Sequence, residues 1–194
     1  SYDAESAPAT PDTIFDLASL TKVLATTTLL MRLVDEGAVT LEDPVAHWLA
    51  DWRGEDRAGV SIADLLEHAG GLTAHLPFFR DHHGRGDFQH AICTLPLEYA
   101  AGSQSVYSDL GFILLAFIAT DAARGIGVDA QFDQVSRGSD LGDLRYRPPV
   151  AWRSRTAPTE VDAWRGRLLT GEVHDENGWA LGGVAGHTGL FGTA

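Results

Sequence analysis

Phe15-Asp16-Leu17-Ala18-Ser19-Leu20-Thr21-Lys22 is the stretch on which the reading of the fold turns. It opens an apolar segment that runs to Val34. The three-residue step from Ser19 to Lys22 predicts both side chains on one face of a helix, about one turn apart, so that a hydroxyl and an amine touch. A serine hydroxyl is a weak nucleophile at neutral pH and needs a neighbouring base; a lysine amine serves when apolar surroundings favour its neutral form. Phe15, Leu17, Ala18, Leu20, Val23 and Leu24 supply such surroundings. Lys22 is the only lysine of the chain, and the other strong bases are arginines, which keep their protons. On these four residues alone, a helix-capping Ser19 with Lys22 snorkelling to solvent is the plainer alternative.

Outward from this stretch, Leu20, Val23, Leu24, Thr27, Leu30, Met31 and Val34 recur at helical spacing, with Gly37 as the C-cap. Residues 1 to 14, with Pro8 and Pro11, read as an extended lead-in. Leu41-Glu42-Asp43-Pro44 opens a short helix through Val45 and Trp48, and Ser61-Ile62-Ala63-Asp64 has the form of a capping box ahead of Leu65 and Leu66. Leu72 to Asp87 reads as a loop whose His75, His82 and His83 are the one hint of metal. Adjacent histidines on a loop rarely converge on an ion, so Phe78 and Phe79 are expected there as packing or pocket-wall residues. A short helix is expected around Phe88 to Thr94 and a second strong one after Tyr107-Ser108-Asp109, where Ser108 or Asp109 caps a run with Leu110, Ile113, Leu114, Phe117 and Ile118. Residues 126 to 158 show no sustained period and read as an extended excursion. Thr159 to Leu169 reads as a short helix with Trp164, and the glycine density from Gly171 to Ala194 implies backbone packed close to something.

With 194 residues, 44% of them hydrophobic and 21% charged, the chain is of ordinary globular composition, long enough for one core or most of a larger domain. A net charge of −13 argues against nucleic acid, whose phosphates require clustered Lys and Arg. The apolar run Leu110 to Ala119 is too short to span a bilayer, so no transmembrane segment is expected. Cys93 stands alone, which precludes an internal disulfide and gives no redox argument for secretion; a reduced compartment is compatible but not required. No targeting segment precedes the chemistry. The chain starts at Ser1 rather than Met and stops at Ala194 without a domain-ending feature, so residues 1–194 are expected to be a single partial domain, cut at both ends.

Tyr107-Ser108-Asp109 sits at a loop-to-helix junction, where a phenol near an amine can shuttle protons for the Ser-Lys pair; a tyrosine packing beside an N-cap is the alternative. Together these motifs resemble the serine β-lactamase and penicillin-binding-protein superfamily, whose Ser-x-x-Lys element they contain. The resemblance covers nearly the whole chain: Thr13 to Lys22, Leu65-Leu66-Glu67-His68-Ala69-Gly70-Gly71-Leu72, and Gly102 through Asp109 with Leu110-Gly111 stand in family order. It is nearest the branch holding class C β-lactamases, D-Ala-D-Ala carboxypeptidase-like proteins and the related carboxylesterases.

The resemblance implies an α+β, β-lactamase/transpeptidase-like fold, here mostly its helical region with the antiparallel sheet largely missing. It implies a serine hydrolase without metal or cofactor, whose substrate is a small molecule or peptide: an ester, a β-lactam or a D-Ala-D-Ala-like peptide. By it Ser19 is the acylated nucleophile, Lys22 the general base or proton relay and Tyr107 the second proton-transfer residue, with Asp109 and His187 at substrate-binding positions. Asp109 stands where the family commonly has Asn. An amide donates to a substrate carbonyl and an ionised carboxylate does not, so pairing with Lys22 is its alternative role. His187-Thr188-Gly189 invites assignment as the third family triplet, but Ala185 to Ala194 resembles an earlier glycine-rich segment, which leaves the third motif outside this chain. The competing reading is a non-catalytic penicillin-binding or sensor homologue, or an inactive fragment.

Overall fold

A left-handed alanine separates the first strand from the first helix. In the computed structural model of the chain, which describes residues 8–137 and 143–193, β1 (Phe15–Asp16) is followed by Ala18 at φ 45° and then by turns in which Leu20, Thr21 and Lys22 each donate to the carbonyl three residues earlier. Part of the expected lead-in (residues 1–7), part of the expected excursion (138–142) and Ala194 lie outside the described residues.

The helix expected from Ser19 is not a uniform α-helix. Lys22–Thr27 is a π-helix, and α1 (Thr28–Asp35) continues it. A π-turn sets the carbonyls of the preceding turn out of i→i+4 register, and hydroxyls make up the difference here. Thr27 Oγ1 donates to the Lys22 carbonyl at 2.8 Å and Thr28 Oγ1 to that of Val23 at 3.4 Å. The buried face is Thr21, Lys22, Ala25, Thr26, Leu29, Leu30 and Leu33, whereas Leu20, Val23, Leu24 and Met31 of the apolar repeat are exposed. The segment is apolar on two sides, and only one meets the described core.

Next come α2 (Val45–Trp48) and α3 (Ile62–Leu66), the latter with its capping box complete: Asp64 N–H donates to Ser61 Oγ, and Ser61 N–H to the Asp64 carboxylate. A 3₁₀ turn at Phe78–Arg80 buries both phenylalanines, as expected of packing residues. The helix α4 (Gly84–Cys93) starts earlier than the sequence implies. At the centre lies α5 (Asp109–Ala122), buried from Leu110 to Ala119 and capped by Ser108, whose Oγ accepts from Gly111 N–H. It packs against α3, α4, the π-helix and α1, which is why so apolar a helix stays out of water.

Two expectations fail after α5. The excursion contains a helix, α6 (Val128–Ser136), hidden in the sequence because Val128 and Phe132 are nearly its whole apolar face. It is followed by β2 (Arg145–Tyr146) and a 3₁₀ turn at Val150–Arg155. The helix expected over Thr159 to Leu169 is a hairpin of β3 (Val161–Asp162) and β4 (Arg167–Leu168), closed by Arg165, whose Nε donates to Asp162 at 2.6 Å. After α7 (Glu176–Ala180) the last strand, β5 (Leu190–Gly192), pairs antiparallel with β1 on one side and β2 on the other. This three-stranded sheet is the antiparallel remnant expected of the fold.

The glycine-rich segment meets the core at Gly186. A Cβ there would fall 2.0 Å from the Phe112 carbonyl oxygen and 2.8 Å from Ala116 Cβ, so the chain crosses α5 at backbone contact. Gly186 thereby presents its own carbonyl to Thr26 Oγ1, which donates at 2.7 Å. Gly186→Ala is expected to destabilise the fold by roughly 3 kcal/mol through this overlap, read as a lowered urea midpoint with an unchanged slope.

Candidate active site

Ser19 lies exposed at the end of the left-handed turn. Ala18 N–H donates to Asp16 Oδ1 at 2.8 Å, and Asp16 Oδ2 accepts from His174 N–H at 2.7 Å, so one carboxylate ties the serine turn to the segment entering α7. Burial pushes this carboxyl above the usual range, although the His174 and Ala18 amides pull the other way. Ala18, Leu20 and Thr21 all donate their amides, while Ser19 N–H, on an exposed residue, meets no acceptor among the described residues. A free amide beside a hydroxyl is one half of an oxyanion-binding pair.

Lys22 turns inward beneath Ser19, with only 3% of its side chain exposed. Its Nζ donates to Ser19 Oγ at 2.9 Å, pairs with Asp109 Oδ1 at 2.7 Å and lies 3.4 Å from the His187 carbonyl oxygen. Three acceptors match the three N–H donors of an ammonium. The face of the Tyr107 ring, its centroid 4.6 Å from Nζ, closes the remaining side. Tyr107 itself is half exposed.

Asp109 opens α5, where the positive end of the helix suits a carboxylate. Its second oxygen faces His75 Nδ1 at 3.5 Å, so the loop read as a metal hint contributes a histidine to this cluster instead. Among the described residues no group of three His, Cys, Asp or Glu is arranged to hold a metal ion.

The structure places the His187 side chain inside, 1% exposed, with Nε2 donating to Asp175 Oδ1 at 2.9 Å. The same oxygen caps α7 by accepting from Gly178 N–H at 2.7 Å. What His187 offers the site is its backbone carbonyl. Burial opposes ionisation of Asp175, but the hydrogen bond and charge of His187, the Gly178 amide and His75 outweigh it, and the carboxyl is held down at about 2.

Of the residues expected at the site, Ser19, Lys22, Tyr107 and Asp109 come together, whereas His187, expected at a substrate-binding position, brings only its carbonyl there and turns its side chain to Asp175. Asp16 and Asp175, which hold the serine turn and His187, carry no role in the sequence reading. The signal for Asp175 was present in Asp175-x-Asn177-Gly178, a capping pattern ahead of a short helix. A cavity of about 420 Å³ opens elsewhere, among Arg147, Glu172, Trp179 and Gly183, and Ser19 does not line it.

The pattern of the Beta-lactamase family matches residues 2–194. The chain belongs to that family. A protein of Escherichia coli K12, provisionally named a D-alanyl-D-alanine carboxypeptidase, is 31% identical over 211 residues that cover 94% of this chain and 48% of that protein. A Bacillus subtilis 168 protein named N-acetylmuramyl-L-alanine amidase is 29% identical over 94% of this chain and 47% of its own length. The crystal structure of a β-lactamase/D-alanine carboxypeptidase from Pseudomonas syringae superimposes with a TM-score of 0.78 at 18% identity, covering 98% of this chain and 51% of that one. The fold is therefore β-lactamase-like. The chain spans about half the length of the curated relatives it matches.

The Asp175 geometry yields a test with a definite sign. Its carboxyl falls from an ordinary 3.8 to about 2 on folding, so the ionised pair stabilises the fold above about pH 4, and that contribution is lost as pH drops from about 4 to about 2. Asp175→Ala is expected to cost roughly 3 kcal/mol at pH 7 and to flatten this acid limb, as read by urea unfolding across that range.

Proposed function

We propose that this chain carries the acylating centre of a serine hydrolase. Ser19 Oγ attacks the carbonyl of an ester, a β-lactam or a D-Ala-D-Ala-like peptide and forms an acyl-enzyme that water then releases. The observation that supports this reading is the buried amine of Lys22 at 2.9 Å from an exposed serine hydroxyl, with Asp109 at 2.7 Å on its far side. As the Ser19 O–C bond forms, the hydroxyl proton must leave. Lys22 accepts it after yielding one of its own to Asp109 Oδ1, so that the amine works as a relay between two oxygens. In this reading Tyr107, half exposed beside the amine, delivers a proton to the leaving group. Ser19 N–H stabilises the developing oxyanion.

In this reading Asp109 is not a donor to substrate. Its two oxygens face Lys22 and His75, which leaves His75, nearly half exposed, as the residue of this pair that meets a ligand. His187 supports Lys22 through its carbonyl. The exposed apolar stripe Leu20, Val23, Leu24 and Met31 begins beside Ser19, and we assign its cover and the second oxyanion donor to the half of the relatives' length that this chain does not span.

The test is mass spectrometry of the full-length protein bearing this chain, after incubation with a fluorescent penicillin or a p-nitrophenyl ester. A covalent adduct on Ser19 that decays with product release is expected, and Ser19→Ala abolishes it, with turnover falling by about 1000-fold or more. A persistent adduct without release would favour a sensor instead. Turnover that survives Ser19→Ala would remove Ser19 as the nucleophile.

A further inference from the structure

Val106 and Ser108, the two residues that bracket Tyr107, both hang by their amides on His68. Val106 N–H donates to the His68 carbonyl at 2.9 Å, and Ser108 N–H donates to His68 Nδ1 at 3.0 Å. The imidazole also packs against the ring of Tyr107, with centroids 4.6 Å apart, and against that of Phe112 at 5.1 Å. One residue therefore fixes the backbone on both sides of Tyr107 and the plane of its ring. Its own backbone sits at φ 58°, in the left-handed region that residues other than glycine seldom occupy. The same carbonyl accepts from the Tyr99 hydroxyl at 2.9 Å, which locks the constraint in place.

We propose that His68 is a positioning residue for Tyr107, acting through the lone pair of Nδ1. The inference rests on the reading of Ser19, Lys22 and Tyr107 as one reacting group. With Nδ1 accepting from Ser108, the ring proton resides on Nε2. His68 then has no free basic nitrogen for proton transfer, and what it supplies is geometry. Burial, together with the charge of Lys22, holds the imidazole below the usual histidine range despite Asp109, which keeps the lone pair available. Losing the acceptor frees the Ser108 amide and lets the junction drift. Displacements of about 1 Å at a reacting group cost on the order of 100-fold in rate.

Two substitutions separate this role from a merely structural one. His68→Gly removes the acceptor and the ring while easing the left-handed backbone, which offsets part of the lost packing. His68→Asn removes the ring but keeps an acceptor oxygen near the place of Nδ1, on a residue that tolerates φ above zero. In the full-length protein, the rate of Ser19 labelling by a p-nitrophenyl ester is measured against ester concentration, with thermal unfolding as the check on folding. His68→Gly is expected to lower the saturating rate about tenfold or more while changing the half-saturating concentration less than about twofold, and His68→Asn to restore the rate to within about threefold of the parent. Parent-like labelling of the glycine variant, or an asparagine variant as slow as the glycine one, would overturn the proposal. Absence of Ser19 labelling in the parent protein would overturn the reading beneath it as well, an outcome distinct from the other two.

Discussion

A buried ammonium has few places to go, and Lys22 has been given three acceptors. Taking a lysine charge out of water is tolerated only when its donors are satisfied and an opposite charge is close. Ser19 Oγ, Asp109 Oδ1 and the His187 carbonyl meet both conditions, and they come from three separate parts of the chain. Most of the local irregularity in the structure serves to bring those three together. The left-handed Ala18 turns Ser19 back over the amine. Ser108 caps the helix whose first residue is Asp109. Gly186 lets the following histidine's carbonyl descend to Lys22.

The supporting shell is polar where a sequence reader expects oil. The inner face of the first helix presents Thr21, Lys22 and Thr26. Thr26 donates to the Gly186 carbonyl, and Thr21 Oγ1 accepts from Leu190 N–H at 3.1 Å, which stitches the helix to the strand β5. Asp16 and Asp175 do the same work on the other side, one holding the serine turn to His174 and the other holding His187 to the cap of α7. A site made this way is rigid because its polar atoms have fixed partners, and it concentrates strain at Ala18 and His68, the two left-handed residues nearest the chemistry.

What the residues alone made legible was what is local, while the site roles of Tyr107, Asp109 and His187 entered through the family resemblance. Ser19 and Lys22 are three residues apart, Ser61 and Asp64 form a capping box within one turn, and Ser108 precedes a run of ten buried residues. Each of these needs only nearby chain to be recognised. The pairing of Lys22 with Asp109 was open as an alternative because a carboxylate in that place has no donor to offer. The π-turn was hidden because apolar spacing alone does not distinguish it from an α-helix; Thr27 and Thr28, which complete its hydrogen bonds, look like ordinary helix residues. The β3–β4 hairpin passed for a helix because its strands are two residues each and show no alternation. Asp16 and Asp175 were missed for a different reason. Their partners are 158 and 12 residues away, and only the fold brings them into contact.

Lys22 is the only lysine of this chain, which makes its state directly observable. In the full-length protein carrying ¹³C at lysine Cε, the resonance that disappears in Lys22→Arg reports this amine. If Nζ is the junction between Ser19 and Asp109, that resonance moves when Ser19 is acylated and moves again in Asp109→Asn, because each change alters one of its partners. A resonance at the position of a free surface lysine, indifferent to both changes, would contradict the account at its centre.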